Sequence, residues 1–377
     1  MRKTCTEFPK RRSTWFITVL LVAASVAISL IFGEIIVRIV SPQKLLLNVT
    51  QWDPYVGFVH IPNYEGYSAT EDFQVRIRIN SNGLRDQEYD YSKPPDIIRI
   101  GVFGDSFTFG EGVQNDEPYP KILEQLFRRD ERLRQSGVKV EVINFGIGKT
   151  GTAHQYAFYQ KEGKKYSLDH VILGFLSGND FTDNWGGVFT LSNDRLIHNA
   201  TGYSSVRRIQ RIVYRIPFYR WLATHSHLVN LLRKAVTLYD DRARMQQAAT
   251  LQGEVGSAKP DLELQMCNLT LRIIEEFRKE ALQNHSSFLI VHLPERGQKT
   301  ITRYSNGELI PRYVVLWDAL KGSLIERNFD VLDLVPVFSR LPKSRYYFEH
   351  DGHMTKWGHQ VIAANVYEVV LPEIRSR

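Results

Sequence analysis

The chain has 377 residues and two cysteines, with 43 % apolar and 24 % charged residues. That composition excludes a disordered or collagen-like chain, a disulfide-built scaffold and a four-cysteine zinc site. The formal net charge is +7, and where that charge sits decides which partners it fits.

Residues 1–14 carry Arg2, Lys3, Lys10, Arg11 and Arg12 against Glu7 alone. Trp15 to Phe32 follow without a charge, and a looser apolar tail to Val40 contains Glu34 and Arg38. About 20 apolar residues span a bilayer, so 15–40 reads as a transmembrane signal-anchor helix. Glu34 and Arg38, four apart, can pair on one helix face near the interface. The basic flank keeps residues 1–14 in the cytoplasm and exports the rest, giving a single-pass protein of the inner membrane. A cleaved signal peptide is the alternative, with small residues at Ala23, Ser25 and Ala27. Cys267 is then the one exported cysteine, and a buried apolar role is its default.

Residues 41–96 read as a β-rich lead-in. Val75, Ile77 and Ile79 alternate with Arg76 and Arg78, as in a half-buried strand. Asn82-Gly83 is a turn signal, and Pro94-Pro95 closes the segment.

From residue 97 to 377 the pattern changes. Apolar runs at Ile97–Phe103, Val138–Ile143, Val171–Leu176, Phe288–Leu293 and Phe329–Val335 predict strands. Helical patterns lie between them at Tyr119–Arg129, Ala153–Glu162, Asp261–Gln283 and Val314–Arg327, and a last helix from Lys356 ends near Val370, before Pro372. Apolar strands alternating with helices predict an α/β fold with a mostly parallel five-stranded sheet covered on both faces. Residues at about 185–260 break the alternation as a basic helical insertion. Its part 203–247 holds nine basic against two acidic residues among many aromatic and aliphatic ones. That surface faces a membrane or a membrane-complex partner, or is a plain solvated face. Outside it and the N-terminal tail the balance is −4, so nucleic acid is not an expected partner.

Ligands of parallel sheets bind at the carboxyl ends of the strands. The first strand runs into Gly104-Asp105-Ser106-Phe107, which exposes a serine hydroxyl, although Asp-Ser is also a common helix cap. The second ends in Asn144 to Gly151, whose glycines permit tight turns and point N–H groups at a ligand. Its glycine spacing superficially matches a dinucleotide fingerprint, but it lies on the wrong strand for one. The third ends in Gly178-Asn179-Asp180, where an asparagine amide can donate to an oxyanion or simply make a turn. After the last come Asp351 and His353, two apart, so a carboxylate can orient an imidazole. With His350 and His359 nearby, a metal site is the alternative there. Together the strand ends supply a nucleophile, oxyanion donors and an oriented base, the parts of an acyl-transfer site.

These four blocks resemble those of the SGNH/GDSL hydrolase superfamily, over about residues 97–371. Asn80 to Asp86 is similar to a stretch found before the first block in membrane-anchored members. The resemblance implies a flavodoxin-like three-layer α/β/α fold. It implies Ser106 as nucleophile, His353 as base and Asp351 as its partner. It implies an oxyanion hole from the Ser106 N–H, the second-block N–H and the Asn179 side chain. The second-block donor, a glycine in the family, falls on Lys149. The expected function is a membrane-anchored serine acyl-ester hydrolase or O-acyltransferase that requires no cofactor. Its expected substrate is an acylated, above all acetylated, exported glycan. The alternatives are a lipid esterase at the membrane surface and a non-catalytic acyl-glycan-binding partner of a membrane complex.

Overall fold

In this computed structural model the described residues are 12–43, 49–185, 187–199, 213, 216–236, 238–239, 262–296, 302–305 and 308–375. Residues 1–11 and much of the basic stretch 203–247 lie outside them. The helix Arg12–Val40 contains Trp15–Val40, 26 residues of mean hydropathy 2.5 with none of that window buried, long and apolar enough to cross a membrane. The expected Glu34–Arg38 pair is present at 3.1 Å.

Two hairpins form the lead-in. β1 (Thr50–Asp53) pairs with β2 (Gly57–His60), and β3 (Glu65–Ala69) pairs with β4 (Gln74–Arg78), both antiparallel. Val75, Ile77 and Ile79 are buried, as their alternation requires.

β5 (Ile97–Gly104), β6 (Lys139–Gly146), β7 (His170–Leu176), β10 (Ser287–Leu293) and β13 (Asp330–Asp333) make one five-stranded sheet in the order β13-β10-β7-β5-β6, all parallel. Between β10 and β13 in the chain, β11 (Thr302–Ser305) pairs antiparallel with β12 (Glu308–Pro311). Numbered among themselves, the strands run 2-1-3-4-5, the flavodoxin-like doubly wound order. Helices cover both faces. Phe103, Phe145, Phe175 and Phe277 belong to one core cluster, and Val102, Tyr119, Val291 and Ile362 to the other. The chain reverses its direction of strand addition between β5 and β7, so the crevice at their carboxyl ends is where such a sheet holds a ligand.

Two expectations need correction. The insertion opens with a hairpin, β8 (Phe189–Ser192) and β9 (Arg195–His198), where only helix was expected. The last helix does not stop before Pro372 but runs Lys356–Arg375. Proline removes one N–H bond from the ladder, but Leu371 and Ile374 are buried and hold the final turn on the core.

Gly104 pairs in register with Gly146 on one side and Gly174 on the other. The row is bare backbone, and the turn that follows β5 rests on it. A Cβ on Gly104 would overlap Thr108 Oγ1, and one on Gly146 would overlap the Phe109 main chain. One on Gly174 would stand 2.6 Å from Tyr119 Oη. A Gly146→Ala substitution is therefore expected to cost about 1–3 kcal/mol or more, because backbone must move. Gly322→Ala, with nothing within 4 Å of its Cβ, should be neutral or stabilising by up to about 1 kcal/mol. Denaturant unfolding of the two variants checks the contrast.

Candidate active site

Ser106 opens the one-turn helix Ser106–Phe109 directly after β5. Asp105 caps that turn, its carboxylate accepting from Phe107 N–H at 2.9 Å, and Gly110 closes it at a φ of +85°. Ser106 is half-buried between buried neighbours, so its hydroxyl is the accessible group of the turn.

Ser106 Oγ lies 2.8 Å from His353 Nε2. His353 Nδ1 is hydrogen-bonded to Asp351 Oδ1. The Phe107 ring packs on the imidazole at 5.2 Å between centroids. Burial alone would lower the His353 pKa, but the bond and charge of Asp351 outweigh it and raise it above the usual 6.5. His350 and His359 do not join them. His359 is buried and its Nδ1 accepts from Tyr119 N–H at 3.2 Å. His350 turns to Asp72 at 2.9 Å. Among the described residues no group of three metal-binding side chains forms.

The β6 loop comes close to the serine. A Cβ on Gly148 would stand 3.8 Å from Ser106 Cβ. Lys149 has a φ of +66°, left-handed backbone that favours glycine, and an exposed side chain. Asn179 lies beyond β7, and its Nδ2 donates to Asp105 Oδ2 and Asp183 Oδ2, both at 3.2 Å. Both amide hydrogens are thus committed to carboxylates in this structure. Asp105 and Asp180 are fully buried, and desolvation pushes both carboxyls up, with the charge of Asp105 adding to the rise at Asp180.

Several residues at this edge were not singled out from sequence. Glu295 follows β10, and its carboxyl packs against Gly178, where any Cβ would overlap it. Burial, with the charge of Asp105, pushes it up to about 7. Its place just past a strand end was the available signal. Asp72, in the loop between β3 and β4, holds the histidine loop. Its Oδ2 accepts from His350 N at 2.8 Å and Asp351 N at 2.7 Å. Desolvation opposes ionisation there, but these bonds and His350 hold its pKa down at about 2. Nothing in the sequence ties Asp72 to a loop so distant along the chain. Behind the site runs a buried relay. His292 Nε2 lies 3.0 Å from Ser177 Oγ, and His292 Nδ1 lies 2.9 Å from Asp333 Oδ1. Trp317 stacks on that imidazole at 3.7 Å, and Lys321 Nζ reaches Asp333 at 2.7 Å. The relay holds Ser177, which leads into Gly178-Asn179.

No family model and no curated protein matches the chain. Among solved structures, the chain is similar to a lipolytic protein of the G-D-S-L family from Desulfitobacterium hafniense. That likeness has 13 % identity and a TM-score of 0.37, covering 72 % of this chain and 98 % of that one. It is also similar to the acetyl xylan esterase AlAXEase, with 13 % identity and a TM-score of 0.39 over 72 % of this chain and 100 % of that one. A lipase/acylhydrolase from Enterococcus faecalis has 15 % identity and a TM-score of 0.38, covering 72 % and 95 %.

The geometry sets a direction for the His353 titration. Asp351→Asn removes the charge that raises the imidazole pKa and leaves the burial that lowers it. NMR titration of His353 is expected to give a pKa above 6.5 in the wild type and a clearly lower one in Asp351→Asn. Equal values would show that Asp351 does not act on the ring.

Proposed function

We propose that this chain is a membrane-anchored serine acyl-ester hydrolase or O-acyltransferase of the SGNH/GDSL type. The observation that carries the reading is the Ser106–His353–Asp351 relay, with its serine at the carboxyl end of β5 beside the switch point of the sheet. Ser106 Oγ attacks the ester carbonyl carbon, and its proton passes to His353 Nε2. Asp351 keeps the ring oriented and stabilises the imidazolium. The negative charge that develops on the carbonyl oxygen meets the Ser106 N–H, which heads a helical turn and has no intrahelical partner. The Lys149 N–H is the second donor. Asn179 is the third and joins by giving up one of its two carboxylate partners. The His353 proton then goes to the departing alcohol. Water, or an acceptor hydroxyl, attacks the acyl-enzyme with His353 again as base, and Ser106 is regenerated.

The same relay sets the pH dependence. His353 must be neutral to accept the proton, and its pKa is raised. Activity should therefore rise with pH through an inflection above 6.5, and Asp351→Asn should move that limb down. The substrate reading is an acetylated exported glycan. It suits a polar, carboxyl-lined edge in which Glu295 stands beside Gly178. A lipid ester is the second reading, favoured by the exposed apolar side chains of the N-terminal helix.

The test uses the full chain in detergent with p-nitrophenyl acetate. Wild type is expected to release acetate and to form a fluorophosphonate adduct on Ser106. Ser106→Ala should lose the adduct and about 10³-fold or more of the rate. A wild type that is inert and unlabelled would support the non-catalytic reading instead. Acetylated xylan and mannan fragments set against short-chain lipid esters separate the two substrate classes.

A further inference from the structure

The described residues 216–236 contain the helix Pro217–His225 and a second helix over 227–236. The proposed chemistry does not use them. They are nonetheless tied to one point on the N-terminal helix. Glu34 stands inside the apolar span Trp15–Val40, where a lone carboxylate is costly. Its Oε2 accepts from Ser226 Oγ at 2.7 Å and Leu228 N at 2.9 Å. Its Oε1 accepts from His227 N at 2.9 Å and Arg38 Nη2 at 3.1 Å. Arg38 Nη2 also donates to His225 O at 3.1 Å, and Gln43 N donates to His227 Nδ1 at 2.8 Å. The carboxylate thus caps the start of the second helix and the guanidinium caps the end of the first. Each charge suits the helix end it meets. At Gly33 the helices touch, and a Cβ there would stand 3.2 Å from Leu228 Cδ2.

Away from this pin, both helices leave apolar faces in the open. Phe218 is 66 % exposed and Trp221 53 %; Leu232 is 56 % and Val236 45 %. The spacing is helical in each, so each set shares one face. Phe218 stacks on Trp221 at 6.0 Å and Trp221 on His225 at 4.8 Å, a short aromatic ladder. Such faces on a soluble surface mark an interaction site.

The position of the pin selects the occupant. Glu34 lies six residues before Val40, which at about 1.5 Å per residue is roughly 9 Å inside the end of the apolar helix. Interfacial helices bury their apolar faces about 5–10 Å into the headgroup and acyl boundary. Tyrosine and tryptophan concentrate at that level. The exposed Lys234 supplies a charge for acidic headgroups. The N-terminal helix to which they are pinned likewise exposes apolar side chains.

We propose that residues 216–236 form an interfacial helical hairpin. It lies in the outer leaflet against the anchor, locked to it by Glu34 and Arg38. The proposal rests on the reading of 15–40 as a membrane span, and the experiment separates the two. Full chain carrying Cys5→Ser goes into nanodiscs of phosphatidylcholine and phosphatidylglycerol. Cys267 is buried and stays. Spin labels are placed singly at Trp221→Cys, Val236→Cys, Ser25→Cys in the span and Arg132→Cys on the exposed side of the catalytic domain. Labels at 221 and 236 are expected to meet oxygen more readily than a water-soluble nickel chelate, as at 25 and opposite to 132. Glu34→Ala is expected to raise nickel access at 236 while p-nitrophenyl acetate hydrolysis stays unchanged. Nickel access at 221 and 236 equal to that at 132, with 25 still in lipid, overturns the hairpin and leaves the span standing. Shielding from both probes assigns the faces to a protein partner and also overturns it. Nickel access at 25 removes the span, and the hairpin with it.

Discussion

The site depends on direct contact between the Ser106 turn and bare sheet backbone. Residues paired in register across a sheet point to the same face. The Gly146–Gly104–Gly174 row therefore strips three neighbouring side chains from one face at the carboxyl edge. Thr108 and Phe109 sink into that trough, and Thr108 Oγ1 reaches Tyr119 Oη at 2.9 Å. Glycine in a strand interior costs roughly 0.5–1 kcal/mol relative to alanine. The opposite face offsets this one residue earlier, where Phe103 and Phe145, also paired in register, stack at 4.5 Å. The serine is thereby fixed to the buried centre of the sheet, while its hydroxyl stays accessible.

The rest of the edge is held by elements that are distant in sequence. Arg85 is fully buried and donates from its guanidinium to the carbonyls of Phe109, Gly110 and Val113, just beyond the serine turn. Asp86 accepts from Asn144 N at 2.9 Å and pairs with Lys121 at 2.8 Å, which ties the lead-in to β6 and to the helix Tyr119–Arg129. Phe73 packs on Phe348 at 5.0 Å, above Gly112, and its neighbour Asp72 holds the main chain of His350 and Asp351. One hairpin thus touches both the loop after the serine and the loop that carries His353. The lead-in is part of the frame of the site, and a chain cut at residue 97 would lose it.

This explains what was legible in the sequence. The central strands β5, β7 and β10 are buried on both faces, so each reads as a near-continuous apolar run, and the residues directly after β5 and β7 are Asp105-Ser106 and Ser177-Gly178-Asn179. Asp351 and His353 were legible because the pair is local. Asp72 was not, because its partner is defined only by tertiary contact. The Ser177–His292–Asp333 relay was hidden for another reason: His292 and Asp333 lie within apolar runs and look like irregularities of a core strand. The hairpin Phe189–His198 was masked by an insertion read through its charge. Pro372 misled because local propensity is a weak prior where packing holds a turn.

Lys149 shows how a departure from a motif is resolved by geometry. A non-glycine residue in the left-handed region costs of order 1–3 kcal/mol and persists only where its surroundings over-determine it. Here they do. Ile147 N–H donates to Gly104 O at 2.9 Å, and Thr150 Oγ donates to Ile147 O at 2.6 Å. Ala153 N–H, in the helix that follows, donates to Asn184 Oδ1 at 2.8 Å. The loop is fixed on both sides of the lysine, so its φ of +66° is imposed rather than chosen. An oxyanion donor in this position needs only a backbone N–H, and its direction depends on φ and ψ, not on the side chain. The lysine therefore keeps a left-handed, glycine-like backbone, and its side chain is exposed.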